Sequence, residues 1–93
     1  MGALVKKENT YIHKNRGVCS SAVQFEIEDN KLKNVAFIGG CDGNTHGICR
    51  LVEGMDVQEV ITRLKGIPCG GRPTSCPDQL AEALTSYLNE SVN

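Results

Sequence analysis

The stretch Ser21-Ala22-Val23-Gln24-Phe25-Glu26-Ile27-Glu28-Asp29-Asn30-Lys31-Leu32-Lys33-Asn34-Val35-Ala36-Phe37-Ile38 decides the fold. Its first half alternates, with Val23, Phe25 and Ile27 on one face and Gln24, Glu26 and Glu28 on the other, which is the period of a half-buried strand. The glutamates then form a solvated strand face. Asp29-Asn30 tolerates positive φ and predicts a tight turn. Lys31 to Ile38 resumes an extended run through Leu32, Val35, Ala36, Phe37 and Ile38, so the segment reads as a β-hairpin.

Working outward, Tyr11, Ile12 and His13 among basic neighbours predict an edge strand, and the polar residues 1–9 a flexible N-terminal arm. Downstream, Ile48, Leu51 and Val52 fall three and four apart before Gly54 and predict a short helix. Asp56 is placed to cap a second helix with the stripe Val57, Val60, Ile61 and Leu64, closed by Gly66 and Pro68. Pro77 is placed at the first position of a third helix, with Leu80, Ala81, Leu84, Tyr87 and Leu88 along one side as far as Asn89. Strands first and helices after predict an α+β domain over residues 10–90, in which a small antiparallel sheet of about three strands carries three helices on one face.

Ninety-three residues make one domain and leave nothing over for a second core. A domain of this size buries about two thirds of the surface that its unfolded chain exposes. With no Trp, two Tyr and two Phe, it has few large side chains to fill its centre. A net charge of -1 shows no basic excess for nucleic acid or anionic lipid. Neither a signal peptide nor a run of roughly 18 apolar residues is seen, so no membrane is expected and the cytoplasm is the expected compartment. Five cysteines are then the departure from the ordinary, because cytosolic thiols are normally kept reduced. Metal, cluster or redox chemistry becomes the question to ask.

Three cysteines fall at element ends. Cys19 precedes the alternating strand, Cys41 sits in a glycine loop between strand and helix, and Cys76 precedes Pro77. A thiol at a helix N-terminus faces unpaired N–H groups and the positive end of the helix dipole, which stabilise the thiolate that metals bind. Cys69, in Ile67-Pro68-Cys69-Gly70-Gly71, lies on a loop able to deliver a fourth ligand. Cys49, between Ile48 and Leu51, reads as a core residue. The intervals of 22, 8, 20 and 7 residues between successive cysteines include no Cys-x-x-Cys pair. His13 and His46 carry no ligand pattern of their own. The glycine loop, Gly39, Gly40, Gly43, Asn44 and Thr45 around Cys41 and Asp42, follows a strand and opens a helix. Backbone N–H groups in that context can hold a nucleotide phosphate, although the loop lacks the ending of a P-loop; a turn built of small residues fits equally well. No Ser-His-Asp or paired-carboxylate constellation is evident, and no catalytic residue is assigned.

Thr74-Ser75-Cys76-Pro77-Asp78 followed by Gln79-Leu80-Ala81 resembles the TSCPD domain, a family named for that motif. Gly39 to Asn44, Gly47-Ile48, Leu51 to Gly54 and Leu64 to Ile67 fit the same pattern, and the likeness runs from Tyr11 to Leu88. Domains of this family occur toward the C-terminus of adenosylcobalamin-dependent, class II ribonucleotide reductases and as short free-standing proteins. The resemblance therefore implies an accessory role in converting ribonucleotides to deoxyribonucleotides for DNA synthesis. It implies no cobalamin site in this chain, whose length leaves no room for the catalytic barrel of the reductase.

A more distant likeness is to U-type iron-sulfur scaffold proteins. These carry one cysteine before a strand, one in a Phe-x-x-Gly-Cys loop and one at a helix start, the order of Cys19, Cys41 and Cys76 here. The likeness implies thiolates that hold zinc or an iron-sulfur cluster. Ser21 and Ser75 stand where the scaffold has an aspartate and a histidine, and one extra residue separates Cys76 from Leu80, so a stable thiolate site is implied more strongly than cluster transfer.

Three readings follow. The first is a metal- or cluster-binding module with ligands Cys19, Cys41 and Cys76, and Cys69 as the fourth. The second is a non-metal module that binds a nucleotide through residues 39–45 or docks on a reductase. The third is a redox accessory in which Cys69 and Cys76 cycle between dithiol and disulfide.

Overall fold

The structure is a computed structural model that describes residues 4–7, 9–18, 20–39, 42–68, 71 and 73–92. In chain order the elements are β1 (Leu4–Lys7), β2 (Thr10–Lys14), β3 (Ser20–Glu28), β4 (Lys31–Gly39), α1 (Asp42–Val52), α2 (Val57–Leu64) and α3 (Cys76–Val92). The four strands form one antiparallel sheet in the order β1-β2-β3-β4. The α+β arrangement is thus as the sequence predicts, with one strand more. Leu4 to Lys7, expected within an arm, pair with His13 to Thr10, so β2 is an inner strand and not an edge.

The hairpin turns where expected. Asp29 and Asn30 hold φ of 54° and 65°, the left-handed values of a two-residue turn whose twist suits the strands on either side. Glu26 lies opposite Lys33 and Glu28 opposite Lys31 across the β3-β4 pair. Val23 and Phe25 are fully buried, and with Leu32 and Val35 they meet Val52, Val57, Val60, Leu80, Ala83 and Leu84 in one core. Three of the four aromatics gather at its side: Tyr11 stacks on Phe25 at 5.6 Å between ring centroids and meets Tyr87 edge-on at 5.1 Å. That arrangement places large apolar surface where a small core most needs it.

α1 packs along β4, α2 lies on α3, and α3 crosses β3 and reaches β1. The α1–α2 connection runs beside the start of β4, where Leu32 N–H donates to Met55, Gly54 N–H to Leu32, and Val57 N–H to Asn30. These bonds occupy backbone groups that an edge strand would otherwise leave open.

Three helix details differ from the expectation. Asp56 stands at the cap position of α2 without a side-chain cap bond, because its carboxylate reaches instead toward Lys31 Nζ at 3.7 Å. Leu51, expected on the buried stripe of α1, is 77% exposed. α1 begins at Asp42, three residues before the end of the expected glycine loop, and its packing on β4 turns Val52 and Ile48 to the core and Leu51 out.

Candidate functional site

The Thr74–Asp78 segment is where α3 begins, and almost every polar atom in it has a partner. Ser75 caps the helix: its Oγ accepts the Asp78 N–H at 3.2 Å and its carbonyl accepts the Gln79 N–H at 2.8 Å. Pro77 is accordingly the second helical residue and Cys76 the first. The Ser75 hydroxyl donates to the Ile67 carbonyl at 2.7 Å. Asp78 accepts the Gly66 N–H at 2.7 Å through Oδ1 and the Thr74 hydroxyl through Oδ2. Both ends of the α2–α3 connection are therefore fastened to the first turn of α3. A carboxylate in that turn also faces the positive end of the helix dipole. Gly17, at φ 71°, brings the β2–β3 loop against Thr74, where a Cβ would meet the Thr74 methyl group at 3.3 Å.

A second set of bonds ties the same turn to the sheet. Ser20 Oγ lies 3.0 Å from Cys76 Sγ, a bond in which either atom can donate, and accepts the Asn15 Nδ2 amide at 2.8 Å. Gln79 Oε1 accepts the Arg16 N–H at 3.0 Å and lies 3.3 Å from His13 Nε2. Gln79 Nε2 donates to Thr74 Oγ1 at 2.9 Å. His13, Ser20, Ser75, Asp78 and Gln79 are all buried, with exposures between 2% and 7%. Two buried atoms of this set have no hydrogen-bond partner, His13 Nδ1 and Asn15 Oδ1.

Of the cysteines predicted as ligands, Cys76 is described, and it is buried at the start of α3. Cys19, Cys41 and Cys69 lie outside the described residues, as does Gly40. Among the described residues no group of three His, Cys, Asp or Glu is gathered for a metal ion. Gly39 ends β4 with φ 78°, whereas Gly43, Asn44 and Thr45 belong to the first turn of α1 and Thr45 is buried. The segment expected as a glycine loop is thus partly helix. His46 is exposed on α1. Cys49 packs against the core, and burial pushes its thiol up from the ordinary value; the hydrogen bond with the Phe37 backbone opposes the shift and the Glu53 carboxylate adds to it.

Asn15 and Ser20 were not singled out by the sequence, Gln79 entered only as part of the motif, and His13 was set aside as carrying no ligand pattern. His13 had one legible signal, since it follows Tyr11 by two residues and so shares its face of β2. Asn15 and Ser20 are five residues apart across the β2–β3 loop, and they meet α3 only because the fold brings residues more than 50 apart together.

Among the described residues no helix is long and apolar enough to cross a membrane. In a comparison with protein families, the model of the TSCPD domain matches residues 4–88. No curated protein and no solved structure matches the chain.

Proposed function

This chain belongs to the TSCPD domain family, a ribonucleotide reductase-associated domain, and from that premise we propose that it is an accessory module of ribonucleotide reduction which holds zinc or an iron-sulfur cluster on thiolates. Cys19, Cys41 and Cys76 are the ligands, with Cys69 the fourth. The physiological partner is a ribonucleotide reductase.

One observation carries the reading. Ser20 pairs with Gly39 across the β3-β4 ladder, and its hydroxyl touches Cys76. Ser20 follows Cys19 in the chain, and Gly39 precedes Cys41 by two residues. The described neighbours of two cysteines and the third cysteine itself thus share one end of the sheet. The position of Cys76 suits the ion as well: it sits in the first turn of a helix, whose N–H groups and dipole favour the thiolate form, with the Ser20 hydroxyl at hydrogen-bond distance from its sulfur. A closed thiolate site would also link three loops of a domain with a small core.

Elemental analysis of zinc and iron after anaerobic purification tests the proposal. About one equivalent of zinc, or of iron in cluster stoichiometry, is expected, and it should fall when Cys76 is replaced by Ser. A folded protein free of both metals overturns it.

A further inference from the structure

We propose that the outer edge of β1 is a docking site for an extended acidic segment of a partner protein, which joins the sheet there as a fifth strand. The inference is independent of the metal reading.

The two edges of the sheet are unequal. In an antiparallel ladder every second residue turns its N–H and C=O away from its neighbour, so an edge strand presents a row of groups that need partners. On β4 that row is filled from within the chain. Leu32 exchanges bonds with Met55 and Gly54, Asn34 N–H donates to the Glu53 carboxylate oxygens at 2.9 and 3.2 Å, and the Phe37 backbone bonds the Cys49 thiol. β1 pairs with β2 along one side, and Leu4 packs against the core. Among the described residues nothing bonds the backbone of Leu4–Lys7 on its other side. β1 is thus held in strand form with its outer row open, the state in which an added strand gains main-chain bonds at little ordering cost to the domain.

Charge selects the occupant. The two outer strands, Leu4–Lys7 and Thr10–Lys14, contain Lys6, Lys7 and Lys14 and no Asp or Glu. Lys6 is exposed, with its ammonium 5.3 Å from the centre of the Tyr11 ring, and Lys14 is exposed as well. Glu26 and Glu28, which share a cleft with Lys6, stand opposite Lys33 and Lys31 across the β3-β4 pair. Two copies of β1 paired with each other would bring the Lys6-Lys7 pair of each against the other, which like-charge repulsion opposes. The same lysines attract a strand that carries glutamate or aspartate among apolar residues, so the edge rejects its own copy and admits an acidic one.

Nuclear magnetic resonance of the isotope-labelled full chain, titrated with a synthetic peptide of alternating glutamate and valine, tests this. Binding should shift the amides of Leu4–Lys7 and slow hydrogen exchange at alternate residues there, while those of Asn34 and Phe37 stay unchanged. Two control peptides separate strand pairing from simple attraction, one with lysine in place of glutamate and one with the acidic sequence N-methylated throughout. Both should bind roughly tenfold or more weakly. Combined Lys6→Glu and Lys7→Glu changes should weaken the acidic peptide by a similar factor and strengthen the basic one. Should that variant fail to fold, the N-methylated peptide on the unaltered chain decides alone. Equal binding of the acidic and N-methylated peptides, no binding of the acidic peptide, or full protection of the β1 amides before any peptide is added overturns the proposal.

Discussion

The hydroxyl of Ser20, on the first residue of β3, lies 3.0 Å from the sulfur of Cys76, on the first residue of α3, across 56 residues of chain. The contact joins sheet to helix at the point where the family motif begins. It depends on Asn15, whose amide donates to the same oxygen. Replacing Ser20 by Ala leaves that amide without its acceptor in a partly buried site. A loss of about 1–3 kcal/mol is expected in urea denaturation, and an unchanged midpoint would count against the contact.

Asp78 is the residue of the motif with the most to lose. Both of its oxygens accept, from Gly66 N–H and from the Thr74 hydroxyl, and an amide in its place would turn a donor toward one of these donors. Asp78→Asn should therefore destabilise the domain by about 1–3 kcal/mol through the mispaired group, with a further contribution of about 0.3–1 kcal/mol from the lost charge at the helix start. Asp78→Glu, which keeps the charge with altered reach, should recover only part of this. Thermal unfolding of the three proteins side by side gives the comparison.

Two leucines separate the observed core from the expected one. Leu84 is fully buried between α3 and the sheet, whereas Leu51 is 77% exposed. Leu84→Ala should cost about 2–5 kcal/mol and Leu51→Ala no more than about 0.5 kcal/mol. Equal losses would mean that α1 is rotated from the orientation described.

Cys49 supplies a prediction in pH. Burial raises its thiol above the ordinary value of 9.0, with the Glu53 carboxylate adding to the shift. The folded state therefore holds the proton more tightly than the unfolded chain does. The corresponding stability is fully present below the ordinary value and is lost as pH rises through the folded one. Stability should thus fall more steeply above pH 9 in the wild type than in Cys49→Ala. Iodoacetamide should also modify Cys49 in the folded protein more slowly than an unhindered thiol.

Much of the fold was legible because its decisive patterns are local. The alternation of Val23, Phe25 and Ile27, the left-handed pair Asp29-Asn30 and the stripe Val57, Val60, Ile61 and Leu64 each lie within one element, and the structure places these elements where those patterns put them. The fourth strand was not legible. Leu4 to Lys7 is too short to show a period, and it becomes a strand by pairing with β2. Leu51 was misplaced for a similar reason: spacing of three and four residues admits two neighbouring stripes on α1, and packing against β4 selects the one with Ile48 and Val52.

The candidate site divides along the same line. Residue order alone put Cys76 at a helix start beside Pro77 and showed the Thr74–Asp78 motif that marks the family. What those residues touch was decided by tertiary structure. Ser20, Asn15 and Gln79 are ordinary polar residues in the sequence, and only His13, two residues after Tyr11, has a spacing that sets its face of the strand. They form two neighbouring sets of bonds between sheet and helix, His13 with Gln79 and Asn15 with Ser20 and Cys76, because antiparallel pairing returns β3 to the end of β2 and α3 crosses over it. Local chemistry thus named the motif, and long-range packing supplied its partners.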